Sequence, residues 1–388
     1  MIREKVKRFT PLVAAAVLLP MGFFVAPVVA QTVLPNPGDR GVWCPEGEFV
    51  DGADKVCKQL TWPSPSTVTH TKTETVTASP TTTTTTVPPT TTTTTQPPVT
   101  GVRKGWELTA QNIGLAPHGL VCDQLQPYTG PQRPARGTVI YRQRITVPLN
   151  LYNGDITIDQ SCIKPTRVGE HNDYLVTTTD CTSGCRATSV GNVVIKDSEI
   201  NGLSLPADNA LGGSDGFIGV GKLYRNYVHG MGSGIAFFET GTVHDAYAEN
   251  NYVRGLRHTG EAHHDGATIR DFRKNAANTR TVKFIGNRLD STPVNTNGWQ
   301  SGALFIQPTW VDIHNGTVQD NYLEGGGYNL YLENRGGVYS NMKAINNRFR
   351  PTEHGASATP SGAGWAQWSN NYRYCSNCVD GRGTAVNP

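Results

Sequence analysis

Charge is scarce in this chain. Charged residues make up 17% of its 388 positions, and 34 Lys and Arg against 31 Asp and Glu leave a formal net charge of +3. A nucleic-acid surface needs a concentrated basic stripe, so that class of partner is excluded. Long apolar runs are missing too: beyond the first thirty residues no segment is apolar enough to span a bilayer. No Gly-rich phosphate loop occurs in the right context, and no His-Glu-x-x-His pattern marks a zinc site. Gly212-Gly-Ser-Asp-Gly216 spells G-x-S-x-G. That motif needs a strand-to-helix elbow, whereas a strand pattern follows here. The tight period and repeated leucines of a leucine-rich solenoid are also lacking.

What is present is a short phrase that returns about every thirty residues. An apolar residue is followed three places later by Asn and two places after that by another large residue. The copies are Leu223–Asn226–Val228, Ala248–Asn251–Val253, Phe284–Asn287–Leu289, Val318–Asn321–Leu323, Ala344–Asn347–Phe349 and Trp368–Asn371–Arg373, with Ile195–Ser198–Ile200 as a degenerate copy. Such a period means stacked units, each burying its apolar face against its neighbours. Short runs led by Gly216, Gly234, Gly266 and Gly302, and Leu330–Leu332, are β-branched and aromatic and predict strands. Each repeat therefore reads as strand, Asn turn, strand, loop, which is one rung of a parallel β-helix. Asn suits a tight left-handed corner, and its amide can bond the Asn above and below.

The first thirty residues resemble a secretory signal. Arg3, Lys5, Lys7 and Arg8 precede an apolar core from Leu12 to Leu19, and Val28-Val-Ala30 offers a small-residue cleavage site. Pro20, Gly22 and Pro27 argue against an uncleaved anchor. A secreted or cell-surface location follows as an expectation, with no membrane span after cleavage. Eight cysteines then favour disulfides. Cys44 with Cys57, Cys181 with Cys185 and Cys375 with Cys378 are local pairs, which leaves Cys122 with Cys162; the sequence does not fix the connectivity. Zinc between the Cys-x3-Cys and Cys-x2-Cys pairs is the competing use. Residues 67–100 form a Thr/Pro tract with almost no apolar content, an extended spacer. The expected organisation is signal 1–30, Cys-linked segment 31–66, linker 67–100 and β-helix 101–388.

The Asn-Tyr-Val and Asn-Arg-Phe phrases, the Asp-Gly and Ser-Gly strand starts, and the Asn-Asn-Arg-Phe and Asn-Asn-Tyr-Arg endings resemble the pectate-lyase-like superfamily of right-handed parallel β-helices. More narrowly, Gly105-Trp106-Glu107-Leu108-Thr109 resembles the opening of secreted bacterial β-helix proteins. The resemblance spans about 105–375. It implies an all-β, right-handed parallel β-helix acting on a polysaccharide or cell-surface glycan. It also implies calcium as a candidate ion. Fold does not settle activity, so a non-catalytic adhesin or a phage tail-associated receptor-binding protein is the alternative to a hydrolase or lyase.

Aligning the second strands on their Gly gives an outward column of Asp215, Ser233, Asp265 and Ser301, ending at Tyr328. The same alignment turns Phe217, Ile235, Ala267, Ala303 and Leu330 inward, with Phe305 also in the core. Asp215 and Asp265 then lie two rungs apart, about 9–10 Å. This is near the roughly 6.5–9.5 Å that inverting glycosidases hold between acid and base. His263, His264, Asp265 and Arg270 crowd the middle rung. His can shuttle protons near neutral pH, and Arg270 could neutralise a uronate. His229 and Glu239, with the flat faces of Trp299, Trp310, Tyr328 and Tyr331, are candidate substrate contacts. The longest excursions, 201–214, 254–264 and 290–300, leave one corner and are expected to wall the binding face.

Overall fold

A corner residue in each repeat decides how the chain turns. The computed structural model describes Glu48–Val50, Cys57–Gln59 and residues 101–388 apart from 171–172, 181–190, 207–213, 239–243, 258–262, 271, 273–279, 295–298, 310, 334–336, 353 and 360–363. The expected signal, the Thr/Pro tract, Cys44, Cys181, Cys185, Glu239 and Trp310 lie outside the described residues, as do the side chains of Cys57 and Trp299. Glu48–Val50 pairs antiparallel with Cys57–Gln59 in a unit of its own.

Among the described residues of the body there is no α-helix. Its strands stack as in a solenoid or β-helix, in sheets of nine, eleven and eight strands. In one repeat, Lys222–Tyr224 belongs to the first sheet, Tyr227–His229 to the second and Ser233–Phe238 to the third. Each strand pairs in parallel with its counterpart one repeat on, as in Leu223 with Ala248, Val228 with Val253 and Ile235 with Ala267. The repeat phrase thus contains two strands with the Asn between them, one more per rung than the sequence suggested. Arg382–Ala385 departs from the pattern and closes the second sheet antiparallel to Tyr372–Tyr374.

The expected Asn ladder is present. The Oδ1 of Asn251, Asn287, Asn321, Asn347 and Asn371 each accepts the backbone N–H of the ladder residue one rung before, at 2.8–3.1 Å. Each Nδ2 donates to a carbonyl of the first sheet, for example Asn287 to Ala248 at 2.9 Å. Ser198 and Ser161 extend the ladder, with the Ser161 N–H donating to the Ser198 Oγ at 3.0 Å. The left-handed corner is not the ladder Asn, however. It is the residue before it: Asp197, Arg225, Asn250, Gly286, Asp320, Asn346 and Asn370 all have φ between 51° and 62°. The ladder side chain is buried, so its work is to satisfy buried backbone. The residue before it absorbs the turn.

Inside, the third sheet contributes Phe217, Ile235, Ala267, Leu304 and Leu330 to one buried column. The rings of Phe217 and Phe237 meet edge-on at 6.1 Å, and Phe237 meets Phe284 of the first sheet at 5.0 Å. The alignment on Gly was one residue out at a single rung. His264 pairs with Gln300, yet Ala267 pairs with Leu304 rather than Ala303. One extra residue is therefore accommodated around Ser301–Ala303, as a bulge does. A slip of one flips every later side chain, so Phe305 points outward and Leu304 inward.

The segment Gly105-Trp106-Glu107-Leu108, read from sequence only as an opening phrase, is a strap across the second sheet. The Gly105 N–H donates to the Asp320 carbonyl at 2.8 Å, and Arg288 donates to the Leu108 carbonyl at 3.0 Å. Leu108 and Ile113 pack with Tyr252, Gly114 donates to the Arg225 carbonyl, and Cys122 is bonded to Cys162. A Cβ at Gly105 would overlap the Asn287 carbonyl oxygen and the Tyr322 nitrogen, so only Gly lets the strap lie this close. At its start Trp106 covers the fully buried guanidinium of Arg348, 4.3 Å from the ring centroid.

Candidate functional site

On the third sheet the outward column of strand starts runs Tyr174, Asp215, Ser233 and Asp265. Asp215 pairs with Ser233, and the Asp265 N–H reaches the Ser233 hydroxyl at 3.3 Å. The two carboxyls are therefore two rungs apart with a small residue between, as the alignment predicted. Both are pushed up to about 7 from the ordinary Asp range. Removal from water is the largest cause in each case. Arg270 opposes the rise at both. Asp265 and Asp173 reinforce it at Asp215. At Asp265 the Gly302 N–H, at 3.0 Å, and the Ser301 hydroxyl favour the charged form, while Glu333 disfavours it.

From this rung a groove of about 640 Å³ extends toward the C-terminal repeats. Asp265, Arg270 and His263 line its beginning; Phe305, Gln307, Thr309, Tyr328, Tyr331, Glu333 and His354 continue it. Phe305 and Tyr331 stack at 5.1 Å and 25°. Tyr328 stands 5.5 Å from Tyr331 and 5.7 Å from His354. The bulge creates this wall, because it is what turns Phe305 out. One column further, Arg270 neighbours Gln307, whose amide donates to Glu333.

The structure thus brings His263, Asp265, Arg270, Tyr328 and Tyr331 together along the groove. It places Asp215 two rungs before Asp265, beside the groove's described lining and within the field of Arg270. His263 is exposed, with Nδ1 3.3 Å from the Ser301 hydroxyl. His264 points the other way and is fully buried. His229 is elsewhere: it lies on the second sheet, stacked on Tyr227 at 4.3 Å and bonded to Glu199 at 2.9 Å. The backbone of Trp299 pairs beside His263. Sequence reasoning missed Phe305, Gln307, Thr309 and His354 as groove residues. Phe305 was hidden by the bulge.

Of the expected disulfides, Cys122–Cys162 and Cys375–Cys378 are formed. Calcium does not fit the carboxyl pair. Asp215 and Asp265 share their surroundings with the Arg270 guanidinium, and Asp265 already accepts a backbone N–H. The only trio of potential ligands gathered among the described residues is Cys122, Cys162 and Glu199, whose two sulfurs are bonded to each other. Comparison with protein-family models, curated proteins and solved structures finds no match.

Proposed function

We propose that this protein is a glycoside hydrolase working by the two-carboxyl, inverting mechanism at the third-sheet groove. The observation that carries the proposal is the pair Asp215 and Asp265, on one outward column two rungs apart, both with pKa near 7. Two rungs are about 9–10 Å, close to the span that leaves room for a water. The neighbours assign the roles. Asp265 accepts hydrogen bonds from Gly302 and Ser301, which suit a carboxylate, so it is the base. Asp215 is held out of water and faces the negative charges of Asp265 and Asp173, all of which favour the protonated form, so it is the acid. Asp215 gives its proton to the glycosidic oxygen as the bond to the anomeric carbon breaks. Asp265 takes a proton from the water whose oxygen forms the new bond to that carbon. The charge of Arg270 favours the ionised form of both carboxyls.

The finer assignments belong to the same proposal. They are a right-handed parallel β-helix of pectate-lyase-like type, exported by the leader at 1–30, acting outside the cell on a glycan. The Asn ladder, the Gly-led strands and the disulfides support them.

The test is the full-length protein on a panel of polysaccharides, following new reducing ends and, separately, the ultraviolet absorbance of an unsaturated uronate. Hydrolysis gives reducing ends without absorbance. Asp265→Asn and Asp215→Asn should each lower kcat by about 10²–10⁴-fold. The rate should peak near neutral pH, since below that range the base is protonated and above it the acid has lost its proton. Absorbance would turn the site into a lyase. Binding without either signal would make it a glycan-binding surface.

A further inference from the structure

We infer that the groove takes a neutral glycan of equatorially substituted pyranoses, seated on the Phe305–Tyr331–Tyr328–His354 wall, and that it rejects uronates. This rests on the proposed site, but concerns what binds there rather than what reaction follows.

Three observations carry it. The first is the placement of the rings. The described lining of the groove begins at the His263–Asp265 rung and proceeds only to later residues, ending at His354. The sugars it holds therefore lie on the C-terminal side of the carboxyl pair, with the scissile bond at the near end. Four rings follow one another at centroid separations of 5.1, 5.5 and 5.7 Å. Phe305 and Tyr331 cover one face of each other, while Tyr328 and His354 are tilted at 42° and 44° to their neighbours. An open π-face attracts the positive edge of C–H bonds. A pyranose whose substituents are all equatorial presents such bonds over a whole face. An axial hydroxyl would put an oxygen against the ring with nothing to bond, at the cost of an unpaired buried polar group.

The second is unpaired polar atoms beside that wall. Among the described residues, Thr268 Oγ1, Thr309 Oγ1 and Arg270 Nε are buried without a hydrogen-bond partner. Thr268 sits next to Phe305 on the outward column and is only 9% exposed. Thr309 and Arg270 line the groove. Buried polar atoms are nearly always satisfied, and a ligand rich in hydroxyls in the groove would satisfy Thr309 and Arg270, which line it.

The third is charge. The expectation that Arg270 neutralises a uronate fails on its surroundings. Arg270 already acts on Asp215 and Asp265, and Glu333 stands one column position beyond Gln307. A substrate carboxylate would enter beside the carboxyls of Asp265 and Glu333, with Arg270 the guanidinium there. Like charges at close range disfavour such a complex.

The experiment uses full-length Asp265→Asn, so that binding is read without turnover, in calorimetric titrations with cellohexaose, xylohexaose and hexagalacturonate. The neutral hexamers should bind. Tyr331→Ala should weaken them about tenfold, the worth of a stacking contact, and Tyr331→Phe should retain them. Hexagalacturonate should not bind. Tighter binding of hexagalacturonate, neutral binding indifferent to Tyr331→Ala, or no binding of any hexamer overturns the inference. The hydrolase proposal fails separately. If the neutral hexamers bind through Tyr331 while the wild type releases no reducing ends, the wall stands and the chemistry falls. If the wild type hydrolyses hexagalacturonate without dependence on Tyr331, the chemistry stands and this inference falls.

Discussion

Asp265 is 7% exposed and Asp215 only partly exposed, and removal from water pushes each carboxyl up to about 7 from its ordinary value of 3.8. A raised folded-state pKa has a definite sign in stability. Between pH 4 and 7 the folded chain holds protons that the unfolded chain has lost. The contribution of each group is therefore fully present below about pH 4, and it is lost as pH rises through about 7. The protein should unfold at lower urea concentration at pH 8 than at pH 5, and Asp265→Asn should flatten that decline because an amide does not titrate. Urea midpoints at the two pH values check this. A decline just as steep in Asp265→Asn would mean that its pKa is not raised. The same substitution is expected to lower kcat, so stability and rate read one side chain by independent routes.

At the scale of the element, the ladder corner shows what a sequence can disclose. Recurrence of Asn was enough to predict stacking of its side chains, because a buried amide in a repeat has its own copies as neighbours. The choice of left-handed residue was not legible in the same way. Asn250, Asn346, Asn370, Asp197, Asp320 and Gly286 are types that tolerate that conformation, but Asn also fills the ladder itself, and Arg225 occupies the corner without being of such a type. The groove was half legible for a related reason. Alternation along the strands located Asp215 and Asp265. The extra residue between Gln300 and Leu304 has no signature in local composition, so the outward turn of Phe305, and with it the aromatic wall, stayed hidden. The ladder also gives a graded prediction. Asn287→Ala removes the acceptor for the Asn251 N–H and the donor to the Ala248 carbonyl, leaving both buried. At roughly 1–3 kcal/mol for each orphaned group, the loss should be about 2–6 kcal/mol. Asn287→Ser keeps an oxygen at the corner, as Ser198 does for Ser161, and should cost clearly less. Equal losses in chemical denaturation would show that the ladder oxygen is not what holds the corner.

Across the whole molecule, a solenoid binds each rung only to its neighbours, so its stability is close to a sum of local terms and its ends can fray. The strap changes that arithmetic. It touches Arg348 and Asp320 near one end, Arg288 and Tyr252 in the middle, and Cys162 near the other. Rungs far apart in the stack are thereby tied to one short segment, and the covalent tie is Cys122–Cys162. This disulfide closes a loop with a sequence separation of 40, against 3 for Cys375–Cys378. In the loop-entropy picture the longer closure is worth about 4 kcal/mol and the shorter about 1.5 kcal/mol. Replacing Cys122 and Cys162 together by Ala should therefore cost more than replacing Cys375 and Cys378 together. It should also change the form of unfolding, with hydrogen exchange rising first at Ile113 and Leu125 and in the strand Cys162–Ile163 while Phe284 and Phe349 remain protected. A uniform rise across all rungs would mean that the strap follows the fold rather than fastening it. Early exchange confined to its first rungs would locate the fastening at that bond.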